Sequence, residues 1–371
     1  MGRPPSSEVA LRLFRSYYRS LKADEVNVTE LSRREFAFSY FGEEGMHRHI
    51  AFGSTVQLLA HLAERAPRHA FYSTAYYRDP AAKNMDEKGW EGSDLVFDID
   101  IDHVETPCKE LHDRWVCKSC GASGWGAPLA CPRCGSESIE RHAWVCETCL
   151  SVASDEVLRL IELLESDFGL SGDEMLVTFS GHRGFHVHVE APAVRELNQD
   201  ARREIVDYIR GVGLEPDYML VKARGGYRLR AETYGWYGRC ARWAIVKAGV
   251  ENPTLSKREW EDLLRECVKR EAVAVDERVT IDTRRLIRLP GSLHGKSGLR
   301  VARLSVQDLE GGSVLDKVKV FIRGEAVVEF EGEPPRRILD LEVGYSTRVL
   351  PLYAALYLLL NGAKLSKFEL K

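Results

Sequence analysis

The stretch Asp94-Leu95-Val96-Phe97-Asp98-Ile99-Asp100-Ile101-Asp102 alternates strictly. Leu95, Phe97, Ile99 and Ile101 fall on one side; Asp94, Val96, Asp98, Asp100 and Asp102 fall on the other. A period of two is that of a β-strand, so one face seals a core and the other presents a row of carboxylates. Like charges two residues apart repel, and cross-strand neighbours seldom relieve them. A divalent cation does, and hard oxygen ligands on a strand suit Mg²⁺ or Mn²⁺. The competing explanation is a solvated edge strand defended by Asp. It fits less well, because edges are usually blunted with Lys and the other face here is strongly apolar.

The chain has 371 residues, enough for a large core and more than one structural unit. Its net charge of −4 excludes a global electrostatic attraction for nucleic acid, so any such surface must be local. The first residues carry no apolar signal core, and the apolar run Val349–Leu360 is too short to span a bilayer. The reading is a cytoplasmic protein without a membrane partner. Of nine cysteines, seven lie between Cys108 and Cys149, and in a cytosolic chain such clustering argues for metal rather than disulfides. Cys240 and Cys267 read as isolated thiols on helices.

Hydropathy periods predict helices over 8–22, 54–65 and from the cap Ser154 to Phe168. Strands are expected at Arg34–Phe38, pairing with His47–Phe52, and at Ala70–Tyr77, Met175–Phe179 and Phe185–Val189. Residues 195–270 are mostly helical in pattern. Val279–Leu289 returns to strand or turn, Leu299–Leu304 and Val318–Val328 add strands, and 345–371 reads as helical. The mixture places the chain in the α/β (α+β) class around one main sheet.

Cys117-x2-Cys120 and Cys131-x2-Cys134 stand ten residues apart, with glycines between. Two thiolate pairs on tight turns give the tetrahedral sulfur set that Zn²⁺ prefers. Cys146-x2-Cys149 is a third pair. Cys108 and His142 would complete a second zinc site, with His112 competing for the histidine position. A fully ligated zinc has no open position, so zinc is structural here and the module reads as scaffold or substrate clamp rather than catalyst.

Two further stretches carry chemistry. In Ser180-Gly181-His182-Arg183-Gly184-Phe185-His186-Val187-His188 the glycines let the turn approach a ligand, and the hydroxyl, Arg183 and the imidazoles suit a triphosphate. A hairpin with solvent-facing Arg and His is the alternative. Thr280 to Gly298 holds Asp282, Arg284, Arg285, Arg288, His294 and Lys296. Its Gly291–Ser297 segment imitates a P-loop, but three residues rather than four separate Gly291 from Gly295. Paired carboxylates, a distant third acid and convergent basic groups are what two-metal phosphoryl or nucleotidyl transfer needs. Between Lys222 and Trp243, arginines (224, 228, 230, 239, 242) interleave with Tyr227, Tyr234, Trp236, Tyr237 and Trp243. This pattern suits single-stranded DNA. A helical subdomain with its own aromatic core explains the same residues and is favoured.

Phe97-Asp98-Ile99-Asp100, Ser180-Gly181-His182-Arg183-Gly184-Phe185-His186, and Asp282 followed by Arg288 and His294 resemble, in order, the motifs of the small (catalytic) subunit of archaeal and eukaryotic DNA primases. Arg34–Phe38, Tyr72-Ser73 and Lys88-Gly89-Trp90 match that family's early blocks. The likeness covers roughly residues 5 to 345 and is closest in style to archaeal members. It implies a prim fold: a mixed sheet flanked by helices, with a zinc-binding insert and a small helical subdomain. The catalytic domain would comprise 1–107, 150–194 and 271–345, with the zinc-binding insert at 108–149, a mostly helical insertion at 195–270 and a C-terminal helix at 346–371.

By the same resemblance Asp98, Asp100 and Asp282 are the metal-binding catalytic acids. Ser180, His182, Arg183, His186, Arg288 and His294 would hold the nucleotide's phosphates, and Glu35 and Arg48 would serve the initiating nucleotide or primer. The family's single zinc knuckle best matches Cys108, His142, Cys146 and Cys149, which leaves the Cys117–Cys134 ribbon as an extra nested inside it. The implied activity is a nucleotidyltransferase that makes short primers de novo on single-stranded DNA during replication in an archaeal-like cell. It would use NTPs or dNTPs with Mg²⁺ or Mn²⁺, beside a large subunit carrying an iron–sulfur domain. Two rivals stand: a primase-polymerase of repair or end joining, and an inactive zinc-stabilised nucleic-acid-binding subunit. The intact acid triple argues against the second.

Overall fold

The computed structural model describes residues 6–371 apart from 105, 231–233, 250–252, 313, 332 and 364. Its centre is two four-stranded antiparallel sheets rather than one mixed sheet. In the first, the order is Ala302–Leu304, Met175–Phe179, Gly184–Val189 and Leu95–Asp100. In the second it is Leu286–Arg288, His69–Ser73, Phe36–Ser39 and His47–Ile50. The expected strand Ala70–Tyr77 divides at Thr74, because Ala75–Tyr77 leaves the second sheet to pair with Trp90–Ser93.

Helix Glu147–Phe168 covers the first sheet. Leu150, Ala153, Val157, Leu160, Ile161 and Leu164 recur at three- and four-residue spacing and bury against Phe97, Ile99, Phe185 and Val187. The helix starts at the N-cap Cys146, not at Ser154, which is buried inside it. Each fully buried Leu or Phe contributes about 1.5–3 kcal/mol. The second sheet packs on helices Ser6–Ser20 and Thr55–Arg65 through Phe14, Tyr18, Leu58 and Leu62.

Strand alternation then divides Leu95–Asp100 between the two cores. Phe97 and Ile99 enter the first core, while Val96 belongs to the second, with Tyr72 and Ile287. The carboxylate face of this strand therefore looks toward the second sheet. Asp94 is not a solvated flank. It is buried, pairs with buried Arg34 at 2.8 Å, and accepts from the Tyr76 hydroxyl at 2.6 Å. Removing either partner strands a buried charge, at a cost of about 3–5 kcal/mol.

The 195–270 region combines helices Gln199–Ile209, Gly235–Ala248 and Lys257–Glu271 with a hairpin, Leu220–Ala223 and Gly226–Leu229. Trp236 and Trp260 are buried, and their indole N–H groups donate to the carbonyls of Tyr208 and Tyr227, both at 2.8 Å. Cys240 and Cys267 are joined in a disulfide, correcting their reading as isolated thiols. Among the described residues of the C-terminal segment 346–371, only Leu352–Leu360 is helical. Leu365–Leu370 is a strand paired with Glu325–Phe330, which in turn pairs with Val349–Pro351.

Candidate active site

The register of the first sheet sets His186 opposite Asp98 and Gly184 opposite Asp100. His186 Nε2 lies 3.7 Å from Asp98 Oδ1. Gly184 is required by this approach, since a Cβ there would sit 2.5 Å from the Ile99 carbonyl oxygen. Burial, then the neighbouring Asp100 and Asp276, push the Asp98 carboxyl up to about 7, while Arg285 and Arg288 oppose the rise. Two adjacent carboxylates that resist sharing negative charge form a hard-oxygen donor set that fits a divalent cation.

Asp282 follows the short helix Glu277–Ile281 and accepts from the Arg284 backbone N–H at 2.9 Å. Among the described residues its carboxylate does not join those of Asp98 and Asp100 within 4.8 Å; the sets that do come together are one of four cysteines and one of three cysteines and a histidine. The acid that comes in beside Asp98 is Asp276, whose backbone N–H donates to the Asp98 carbonyl at 2.9 Å. It stands six residues before Asp282 in Asp276-Glu277-Arg278-Val279-Thr280-Ile281-Asp282, the available signal.

The basic groups gather opposite. Arg288 lies between two imidazoles, with Nη1 at 2.6 Å from His69 Nδ1 and Nη2 at 2.9 Å from His294 Nε2. His182 stacks on His294, ring centroids 5.3 Å apart. The Gly181 turn, at φ +92°, brings the two together; a Cβ on Gly181 would meet the His294 Cβ at 2.6 Å. Ser180 accepts from the Gly184 N–H at 3.2 Å and so closes the turn. Burial, then nearby cations, lowers His69, His182 and His186 each to about 3, and burial lowers Arg288 to about 10. His182 Nε2 and His186 Nδ1 are buried with no hydrogen-bond partner among the described residues. Desolvated imidazoles crowded by a guanidinium suit an anion.

Arg183 does something else. It is buried, and its Nη1 donates to Asp113 at 3.0 Å and lies 3.4 Å from Asp102. His69, with Arg68 and Lys296 beside it, was not among the expected residues. It arrives because Gly295 packs directly on Arg68 and His69, a contact between distant segments with no local pattern.

Asp100, Asp102, His69, His182, Arg288, His294 and Lys296 line one cleft of about 1670 Å³; Asp98, His186 and Asp282 are not among its lining residues. Elsewhere on the second sheet, Arg48 Nε donates to buried Glu35 at 3.1 Å, so those two residues are together. Lys88, fully buried, lies 3.4 Å from the other Glu35 oxygen.

The cysteines form two sets, each with four ligand atoms within 4.8 Å of one another. The first is Cys117, Cys120, Cys131 and Cys134. Backbone N–H groups of Cys120 and Ser119 donate to the Cys117 sulfur and draw its thiol down to about 6. The second is Cys108, Cys146 and Cys149 with His112, not His142. Cys108 caps the single turn Lys109–His112, so its sulfur and the His112 imidazole, four residues apart, share a face. His112 Nε2 lies 3.3 Å from Cys149 Sγ. His142 stands on strand Ile139–His142, half exposed, facing the cleft. Thiolate-rich tetrahedral sets fit zinc.

Comparison with known proteins now decides the family. The sequence profile described as DNA primase small subunit matches residues 136–306. The DNA primase small subunit PriS of Pyrobaculum arsenaticum is 35% identical over 351 residues, covering 93% of this chain and 95% of that protein. PriS of Saccharolobus solfataricus is 35% identical over 341 residues, covering 91% and 88%. The chain belongs to the DNA primase small-subunit family. The primase profile takes in the Ser180 turn, Asp282, Arg288 and His294, and Asp98 and Asp100 lie before it. No helix among the described residues of this primase chain is long and apolar enough to cross a membrane.

Proposed function

We propose that the chain is the catalytic subunit of a DNA primase, a nucleotidyltransferase that builds short primers de novo on single-stranded DNA. One observation carries this reading beyond family membership. Asp100 and Asp102 at the end of the acidic strand line a single cleft with the Arg288–histidine cluster.

In this reading Asp98, Asp100 and Asp282 hold Mg²⁺ or Mn²⁺. When bound, the metal supplies activation of the 3′-hydroxyl and neutralises charge on the leaving pyrophosphate. The chain's own groups do the rest. Arg288, His294, His182 and Ser180 receive the triphosphate of an NTP or dNTP, and His186 sits between phosphate and carboxylates. Arg183 braces the turn from inside. Glu35, Arg48 and Lys88 serve the initiating nucleotide. Zinc in both cysteine sets is structural, with every ligand position filled by protein. A large subunit is the expected partner.

The test supplies unprimed single-stranded template, nucleotides and Mg²⁺ or Mn²⁺, with and without the large subunit. Short products are expected from wild type, and a loss of at least about a hundredfold from Asp98→Ala and Asp282→Ala. Wild type that only extends a supplied primer defeats the primase reading. Full synthesis by either variant defeats the metal assignment.

A further inference from the structure

The ribbon at 114–142 is left unused by the chemistry above. It is a small three-stranded sheet, with Ser123–Trp125 and Ile139–His142 flanking Arg114–Cys117. It carries its own miniature core of Trp115, Cys117 and Cys131, as expected of a unit that a metal must complete. Its root is held firmly. The Gly126 N–H donates to the Asp113 carbonyl at 2.8 Å, and Asn361 donates to the Ala143 carbonyl at 2.8 Å.

One face of the ribbon looks into the catalytic cleft. Trp125, Pro128, Leu129, Arg141 and His142 line it together with Arg288 and His294. Leu129 is 84% exposed, an unusual place for a large apolar side chain on a rigid element. Trp125 is fixed from behind by Arg336, 4.9 Å over its ring, and Arg141 Nη2 donates to the Pro128 carbonyl at 2.7 Å. The loop bearing Leu129 is therefore braced at its base. The acids lining the cleft are Asp100, Asp102, Glu110 and Asp113, the last neutralised by Arg183.

Size decides what the face is for. A single small ligand fills a pocket of about 300–1,000 Å³. The cleft, at about 1670 Å³, has room beyond one nucleotide. The anion-binding groups are clustered around Arg288, so the ribbon's share of the lining is left for a second occupant that is continuous with the first.

We propose that the ribbon is a strand clamp: its inner face holds single-stranded nucleic acid as it passes the carboxylates. Bases lie against Pro128 and Leu129, and a phosphate meets Arg141. The inference rests on the primase reading of the cleft and names the ribbon as the part that grips the strand.

The test uses the full chain with Leu129→Glu and Arg141→Ala, both surface changes that leave the zinc ligands intact. Fluorescence anisotropy with a labelled oligodeoxythymidine measures strand binding, a separate titration measures Mg²⁺–ATP binding, and elemental analysis confirms unchanged zinc content. Leu129→Glu is expected to weaken the oligonucleotide about tenfold. Arg141→Ala is expected to weaken it about threefold and make the salt dependence shallower by about one phosphate. ATP affinity stays at the wild-type value in both. Wild-type strand affinity in both variants overturns the proposal, as does equal loss of ATP and oligonucleotide binding, or no oligonucleotide binding by wild type. Primer synthesis by wild type, scored separately, shows whether the underlying reading fails instead.

Discussion

Asp113 and Arg183, 70 residues apart in sequence, form an ion pair of 3.0 Å in the protein interior. The same carboxylate accepts from His112 Nδ1 at 2.7 Å and from the Trp144 N–H at 3.0 Å. A ligand of the inner cysteine–histidine set and the arginine of the Ser180 turn thus hang on one side chain. An outer carboxylate fixes the ring orientation of a metal-bound histidine; here it also fixes the base of the nucleotide turn. Asp113→Asn keeps the shape but halves the charge-assisted bonding. It is expected to raise the KM for nucleotide about tenfold with kcat less affected, while Asp113→Glu recovers part of the loss. Steady-state kinetics with zinc analysis checks this. A kcat-only effect would mean that Asp113 does not position Arg183.

Metal counting separates the two histidines. Wild type should hold two zinc ions per chain, one for each four-ligand set. His112→Ala should drop toward one, whereas His142→Ala should keep both. Elemental analysis after exhaustive dialysis reads the difference. Retention of both ions by His112→Ala would return the ligand role to His142.

The Cys240–Cys267 disulfide closes a loop of 27 residues between two helices. Loop-closure entropy predicts about 3–4 kcal/mol from such a link. Thermal melts with and without reductant should show a lower Tm for reduced wild type, and no reductant effect on Tm in Cys240→Ser. Activity at moderate temperature should stay within about twofold, because neither helix lines the cleft.

Acid stability should report on Asp167. Burial would raise its carboxyl, but hydrogen bonds from Arg239, Ser166 and Tyr208 outweigh it and hold the group below its ordinary range. A folded pKa below the unfolded one gives stability that is complete above about pH 4 and is lost as pH falls through the folded value. Asp167→Asn should therefore cost about 1–2 kcal/mol at neutral pH and flatten the acid limb below about pH 4. Urea titrations across that range test the sign. An unchanged acid limb would remove Asp167 from the account.

How much of this was legible depends on whether the information was local. The alternation at 94–102 and at 185–189 follows from period two alone. The strands are Leu95–Asp100 and Gly184–Val189, and the first ends early because the Asp100 side chain accepts from the Asp102 N–H and turns Ile101–His103 into a 3-10 helix. The pairing of His186 with Asp98 is a long-range register that no local pattern encodes. His112 was legible in principle: Cys108-x3-His112 is one helical turn, but closeness in sequence favoured His142. The two cysteines on different helices gave no sign of meeting, since their approach depends on how those helices pack. The tail 365–370 reads as weakly as a helix as it does as a strand, and its partner Glu325–Phe330 decides between them. The aromatic residues near 236 proved largely to be core, with Trp236 buried, while Tyr234 stays 84% exposed. Positions 231–233 of that stretch lie outside the described residues.

The inner cysteine–histidine set has one further consequence. Cys108 and His112 precede the ribbon, and Cys146 and Cys149 follow it, at the start of the helix that covers the first sheet. The ribbon is thus a loop tied off at its base. Loop-closure cost grows slowly with length, so chain inserted or removed between Arg114 and His142 would be felt mainly above the knot. The catalytic strands below it are insulated from changes in the reach of the clamp, which lets this segment be exchanged as an interchangeable attachment while Asp98 and Asp100 stay where they are.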